Sequence, residues 1–175
     1  MSRVFSWLQQ RERRVFYWMN RRLRHSALNV LFHAATHLGG AAFTIAAALS
    51  LSLFGSGSLQ WIGLHCCATL ALSHIPVAVM KRVYPRLRPY LDLPGIHTCK
   101  NPLTDHSFPS GHTTACFAIA LPIAYALPWL SPILLPVAFF VGLSRIYLGL
   151  HYPSDCLAGL FIAAAAAWAT APFIG

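Results

Sequence analysis

The sequence predicts an all-α integral membrane bundle of about five transmembrane helices, preceded by an amphipathic interfacial helix. Two observations carry that expectation. Charged residues are only 10% of the 175 residues while 57% are hydrophobic, where ordinary soluble domains carry about 25% charge. The charges are also clustered: no Asp, Glu, Lys or Arg occurs in 25–80, 106–144 or 156–175. A bilayer core takes about 20 apolar residues per helix, so these three gaps hold two, two and one spans.

The elements follow in order. Residues 3–24 read as the interfacial helix. At 100° per residue Val4, Leu8, Val15 and Met19 share a side with Phe5, Phe16 and Leu23, and Arg13, Arg14, Arg21 and Arg24 lie opposite. Trp7, Tyr17 and Trp18 suit a membrane interface, while Glu12 and Arg22 interrupt the apolar side. The chain thus divides into a basic amphipathic helix over 1–25 and a membrane domain over 26–175. Ser26 is the expected cap of a short helix through residue 37. A first span covers 41–54 and is short unless it continues back through 28–38. Gly55-Ser56-Gly57-Ser58 turns the chain, and a second span covers 59–80. Residues 81–109 form the long interior loop. Pro85, Pro89, Pro94, Pro102 and Pro109 exclude a regular helix through most of it, and so long a loop between membrane helices is more often functional than idle. Spans three to five cover 110–126, 133–147 and 154–171. The alanines of 163–167 offer a smooth packing face.

The formal net charge of +9 does not point to nucleic acid, because the basic residues flank membrane spans and no nucleic-acid motif occurs. Membrane lipids with anionic head groups, and phosphate, are the expected partners. Cys66, Cys67, Cys99, Cys116 and Cys156 show no C-x-x-C spacing and read as free thiols used as small apolar residues.

Counting spans puts the N-terminal helix, the 81–109 loop and the 145–155 segment on one membrane face. Lys81, Arg88, His112, Arg145, His151 and Asp155 therefore gather there at helix ends. Arg145 and Asp155 lie near hydrocarbon depth, where an unpaired charge is costly. An ion pair stapling two helices is the plain account of those two; two further cations and two histidines beside them point instead to chemistry. His151 and Asp155 are four apart. On a helix beginning near His151, Asp155 accepts from one imidazole nitrogen, which leaves the other as a nucleophile or base. His112 arrives from another helix as a candidate general acid. Lys81, Arg88 and Arg145 are suited to hold phosphoryl oxygens. Ser110 caps a helix start whose free N–H groups and dipole favour an anion. Phosphoryl transfer is largely positioning and electrostatics, so the set needs no metal or cofactor. A metal site from His112, His151 and Asp155 is the competing reading, and three fixed cations nearby would repel a divalent ion. The other histidines read as interface or packing groups, with His106 alone close enough to the site for a substrate role.

Lys81-x6-Arg88-Pro89, Pro109-Ser110-Gly111-His112 and Ser144-Arg145-x5-His151-x3-Asp155 together resemble the three-part signature of the type 2 phosphatidic acid phosphatase family. All three parts match in order, over residues 81–155. The resemblance implies metal-independent hydrolysis of a lipid phosphate monoester or diphosphate. It implies His151 as the nucleophile that forms a phosphohistidine, Asp155 as the residue that orients it, and His112 as the acid for the leaving group. It implies Lys81, Arg88, Ser110, Gly111 and Arg145 as phosphate ligands. Undecaprenyl diphosphate, phosphatidic acid and phosphatidylglycerol phosphate are the substrates it suggests, a polyprenyl diphosphate first. The alternative is a non-catalytic lipid-phosphate-binding membrane protein of the same fold; a lost catalytic residue would favour it, and none is lost. Family members usually have six spans, and here the basic helix stands where the first would be. They usually place the site outside the cell or in a lumen, whereas the seven arginines before residue 25 share the site's face and favour the cytoplasm.

Overall fold

The computed structural model describes residues 3–173, with side chains from residue 6 to residue 172. Val4 and Phe5 of the expected apolar stripe, and the outermost residues of both expected domains, lie outside the described side chains. The helices are α1 (Arg3–Tyr17), α2 (Ser26–Thr36), α3 (Ala41–Phe54), α4 (Ser58–Val83), α5 (Pro89–Asp92), α6 (Gly111–Ala126), α7 (Ser131–Tyr147) and α8 (Pro153–Thr170). A π-helical turn, Trp18–Arg22, continues α1. The described residues contain no strand.

Helix α6 is the hub, packed against α3, α4, α7 and α8. Its sequence explains the position: small and apolar residues surround it, so Thr113, Thr114, Ala115, Cys116, Phe117 and Ala118 are all buried. Ala48 of α3, Cys66 of α4, Val141 of α7 and Ala163 of α8 close on it. In lipid such packing rests on close approach of small side chains, and the alanine run supplies it through buried Ala163 and Ala166.

Among the described residues three helical segments are long and apolar enough to cross a membrane: Ser58–Val83, Pro128–Tyr147 and Pro153–Thr170. A fourth arises if Ser26–Gly39 and Ala41–Phe54, bent by 51° at Gly40, count as one span. Helix α6, at 16 residues, is apolar but shorter.

The start of α2 departs from expectation, and the proline-rich loop holds to it. His25, not Ser26, is the N-cap of α2, its ring accepting from the Ala27 N–H at 3.3 Å. The proline-rich loop holds one helical turn, α5, with Pro89 at its first position, where a missing N–H costs nothing. Helix α1 lies on the bundle through Phe16, and the π turn adds Met19; both are buried against Leu93, Ile146, Tyr152 and Cys156. Leu8, Val15 and Trp18 face outward.

Candidate active site

Two backbone breaks set the geometry. Helix α7 ends where Leu150 N–H and His151 N–H both turn back to the Arg145 carbonyl, at 3.0 and 3.2 Å. Gly149 makes this reversal with a φ of +73°, a region L side chains rarely adopt. Pro153 then starts α8, with Tyr152 as its N-cap. His151 therefore stands in a turn, not on the helix that carries Asp155. The second break is at Gly39, where an added Cβ would lie 2.7 Å from the His112 carbonyl oxygen. That close approach seats the end of α2 against the start of α6.

The His151 ring is buried. Its Nδ1 lies 2.7 Å from the Ser107 carbonyl oxygen. A carbonyl can only accept, so Nδ1 carries the proton and Nε2 holds a lone pair. Nε2 faces Arg88, whose Nη1 donates to it at 3.1 Å. The expected hydrogen bond to Asp155 is absent: Nδ1 and Oδ2 are 3.7 Å apart, beyond hydrogen-bond range. Four-residue spacing would join them only on a continuous helix, and α8 begins two residues too late. Asp155 instead accepts from Ser107 Oγ at 2.5 Å, Tyr152 N–H at 2.7 Å and Arg86 Nη1 at 2.8 Å. Ser107 thus stands between the carboxylate and the imidazole. Burial drives the His151 pKa down to about 4; the Asp155 carboxylate pulls against it, while Arg145 and Arg88 add to the fall.

Arg88 and Arg145 are both buried, at 1% and 3% exposure, but differ in their partners. Arg88 donates to the Asp105 carbonyl at 2.7 Å, the Asp105 carboxylate at 2.6 Å and the Leu150 carbonyl at 2.9 Å. Lys81 holds the other Asp105 oxygen. Burial alone would raise the Asp105 carboxyl; hydrogen bonds from Lys81 and Arg88, with their charges, hold it down at about 2. Arg145 donates once, from Nη1 to Thr36 Oγ1 at 2.5 Å. Its Nε and Nη2 are buried without a partner among the described residues, and the Arg145–Asp155 pair that spacing allowed does not form.

His112 stands at the first turn of α6, within electrostatic reach of Arg145, His151, Arg88 and Lys81. Ser110 is buried and caps α6, accepting from the Thr113 N–H and, at 3.0 Å, from its hydroxyl. Its own N–H donates to the Asp155 carbonyl at 3.0 Å, fixing α6 to α8. A Cβ at Gly111 would meet no atom within 4 Å, so the backbone there is open. The structure thus brings Lys81, Arg88, His112, Arg145, His151 and Asp155 to one end of the bundle. Among the described residues no three His, Cys, Asp or Glu side chains are grouped to hold a metal ion.

Sequence reasoning passed over Glu12, Thr36, Arg86, Asp105 and Ser107. Asp105 stands two residues before Ser107 and five before Ser110, and Glu12 is the chain's one glutamate; those were the available signals. His33, His65 and His74 bond backbone carbonyls of Asn29, Ala167 and Leu70, as packing groups do. All five cysteines are free.

The model of the PAP2 superfamily matches residues 62–175. A lipid A 1-phosphatase of Rhizobium etli is 33% identical over 107 residues, 58% of this chain and 46% of that protein. The chain spans about half the length of that curated relative. A decaprenylphosphoryl-5-phosphoribose phosphatase of Mycolicibacterium smegmatis is 33% identical over 148 residues, 74% of this chain and 79% of that one. The crystal structure of Aquifex aeolicus LpxE superposes with a TM-score of 0.80 at 26% identity, covering 91% of this chain and 93% of the other.

Proposed function

This chain belongs to the PAP2 superfamily, and from that membership we propose an integral membrane phosphatase that hydrolyses a lipid phosphate monoester or diphosphate through a phosphohistidine on His151. The observation that carries the reading is Arg145. Two guanidinium nitrogens are buried without partners among the described residues, a state that costs about 1–3 kcal/mol per group or more. They stand beside two histidines and two further cations. An anion with several oxygens is the partner this setting calls for.

In the first step Arg88 Nη1 gives up His151 Nε2 for a phosphoryl oxygen, and the freed lone pair attacks phosphorus as the bond to the leaving oxygen breaks. His112 gives that oxygen its proton. The imidazole keeps Nδ1–H on the Ser107 carbonyl, which stabilises the charge it acquires. Arg145, Lys81, Arg88, the Ser110 hydroxyl and the Gly111 N–H hold the phosphoryl oxygens as charge spreads over them, while the Ser110 N–H stays on the Asp155 carbonyl. Water then attacks phosphorus, His112 takes its proton, and the P–N bond breaks to release phosphate. Fixed cations do the neutralising, so no metal is required. For the substrate we take a polyprenyl diphosphate first, with phosphatidic acid and phosphatidylglycerol phosphate behind it. Relatives whose names include lipid A and decaprenylphosphoryl phosphatases support a bulky lipid carrier.

In this reading five segments cross the bilayer: the bent α2–α3 pair, α4, α6, α7 and α8. Helix α6 is only about 24 Å long at 1.5 Å per residue, but its neighbours shield it from lipid. Residues 1–25 lie in the interface and 26–175 form the membrane domain. The arginines favour a cytoplasmic site; a reporter phosphatase active only outside the cytoplasm, fused after residue 175, should then be active. An inactive fusion, with 91–104 accessible from outside, reverses the orientation. The test of function is phosphate release by the purified protein in detergent with EDTA, across a lipid phosphate panel. His151→Ala should abolish turnover; turnover that survives it, or that needs added divalent metal, defeats the mechanism.

A further inference from the structure

Helix α1 lies outside the residues that the PAP2 model matches, yet its one acid reaches the centre of the site. Glu12 Oε2 accepts from Arg86 Nη2 at 2.8 Å. The opposite edge of the same guanidinium donates from Nη1 to Asp155 Oδ1 at 2.8 Å and Ser154 Oγ at 2.7 Å. The Tyr152 ring lies under it, with the guanidinium carbon 3.9 Å from the ring centroid. Glu12 Oε1 meanwhile accepts from the Ser154 N–H at 2.9 Å and from the Ser154 hydroxyl. A carboxylate from a different helix thus covers the positive end of α8. The two links leave Arg86 no freedom to swing away from Asp155.

From Asp155 the line continues through Ser107, which donates its hydroxyl to the carboxylate and offers its carbonyl to His151 Nδ1. Glu12, Arg86, Asp155, Ser107 and His151 form one unbroken chain of hydrogen bonds. We propose that Glu12 and Arg86 are positioning residues for phosphoryl transfer, holding the His151 ring in its attacking orientation through Asp155 and Ser107, so that the N-terminal helix is a working part of the site. This rests on the reading of His151 as the nucleophile. A purely anchoring role does not need this arrangement. Phe16 and Met19 already bury the segment, and a separate pair, Arg13–Asp92 at 3.2 Å, ties it down; Asp92 also accepts from the Tyr152 hydroxyl at 2.6 Å, a bond that removing Arg13 leaves in place.

The Arg13–Asp92 pair is therefore the control. Phosphate release by the full chain in detergent is measured for Glu12→Gln, Arg86→Lys, Arg86→Met and Arg13→Met, with thermal melts alongside. Arg86→Met should lower kcat about 10- to 100-fold with KM changed less than about twofold. Arg86→Lys should recover part of that loss, and nearly isosteric Glu12→Gln should lose several-fold in kcat. Arg13→Met should keep the parent kcat while shifting the melt as far as Glu12→Gln does.

The acidic limb of the kcat profile adds a readout that anchoring would not move. The charged groups facing the His151–Asp155 pair are Arg86, Arg88, Arg145 and His112. Without the Arg86 charge the pair takes up its first proton at higher pH, so the limb should move upward in Arg86→Met. If Glu12→Gln and Arg13→Met lose kcat in the same proportion to their melts, or if neither Glu12→Gln nor Arg86→Lys changes kcat, the inference falls. Should His151→Ala remain active, the reading of the site falls first, and that result is separate from the other.

Discussion

Arg88 and Arg145 are the same residue type, equally buried, at the same end of the same bundle, and they are built in opposite ways. Every edge of Arg88 is engaged, by Asp105, by the Leu150 carbonyl and by His151 Nε2. Among the described residues Arg145 has one bond, to Thr36, and two buried nitrogens without partners. A charge buried with its partners is scaffold. A charge buried without them is a site kept at a cost in stability. The protein thus divides its cations: Arg88 reaches an anion only by exchanging a bond it already has, and Arg145 has nitrogens ready for oxygens.

The sharpest way to break the comparison is to remove each in turn. Arg145→Met should cost about 100- to 1,000-fold in kcat/KM, the scale of losing one preorganised donor, while Tm in detergent holds or rises. Arg88→Met should also lose activity, but its melt should fall. It strands the buried Leu150 carbonyl and the His151 Nε2, at about 1–3 kcal/mol for each unsatisfied group. Equal melting shifts for the two variants would erase the distinction.

A third test uses pH on the Arg88 side. Burial holds the folded His151 pKa at about 4, below the unfolded value of about 6.5. Between those values the unfolded chain binds more protons, so stability is complete above about pH 6.5 and is lost as pH falls toward 4. The same proton occupies Nε2 and evicts the Arg88 bond. Melting curves taken between pH 7 and pH 4 should show the decline, and His151→Gln should flatten it.

What the sequence could and could not disclose follows the same line. That apolar helices would cross a membrane was readable because charge is missing from long stretches, and the bend at Gly40 falls where Gly39 and Gly40 interrupt the helix. The cations and histidines of the three motifs were readable because their spacing places them at helix ends. The partner of Asp155 was not. Arg86, Arg88 and Arg145 all lie on that face, and spacing cannot rank them; the fold of a loop with five prolines brings Arg86 to the carboxylate. The His151–Asp155 contact failed for a backbone reason, since Gly149 and Pro153 delay α8 past His151. Glu12 looked like a flaw in an apolar stripe because helical periodicity has no way to represent a carboxylate that leaves its own helix to bond another.

The smallest effect, and the most discriminating, belongs to Asp105. Its carboxylate places one oxygen on Lys81 and the other on Arg88, much as a phosphoryl group would. The side chain is half exposed, so its charge is screened and its hold is modest. Asp105→Asn keeps the shape and the backbone carbonyl that Arg88 uses, but removes the charge that competes with a bound anion. Inorganic phosphate should then inhibit at concentrations lower by about two- to fivefold, the equivalent of a partly exposed ion pair. The melt should change little, because Arg88 keeps Leu150 and the Asp105 carbonyl. Weaker inhibition by phosphate would mean that Asp105 aligns the two cations rather than occupying their place. Arg88 would then be scaffold alone, and binding of the phosphoryl oxygens would fall more heavily on Arg145.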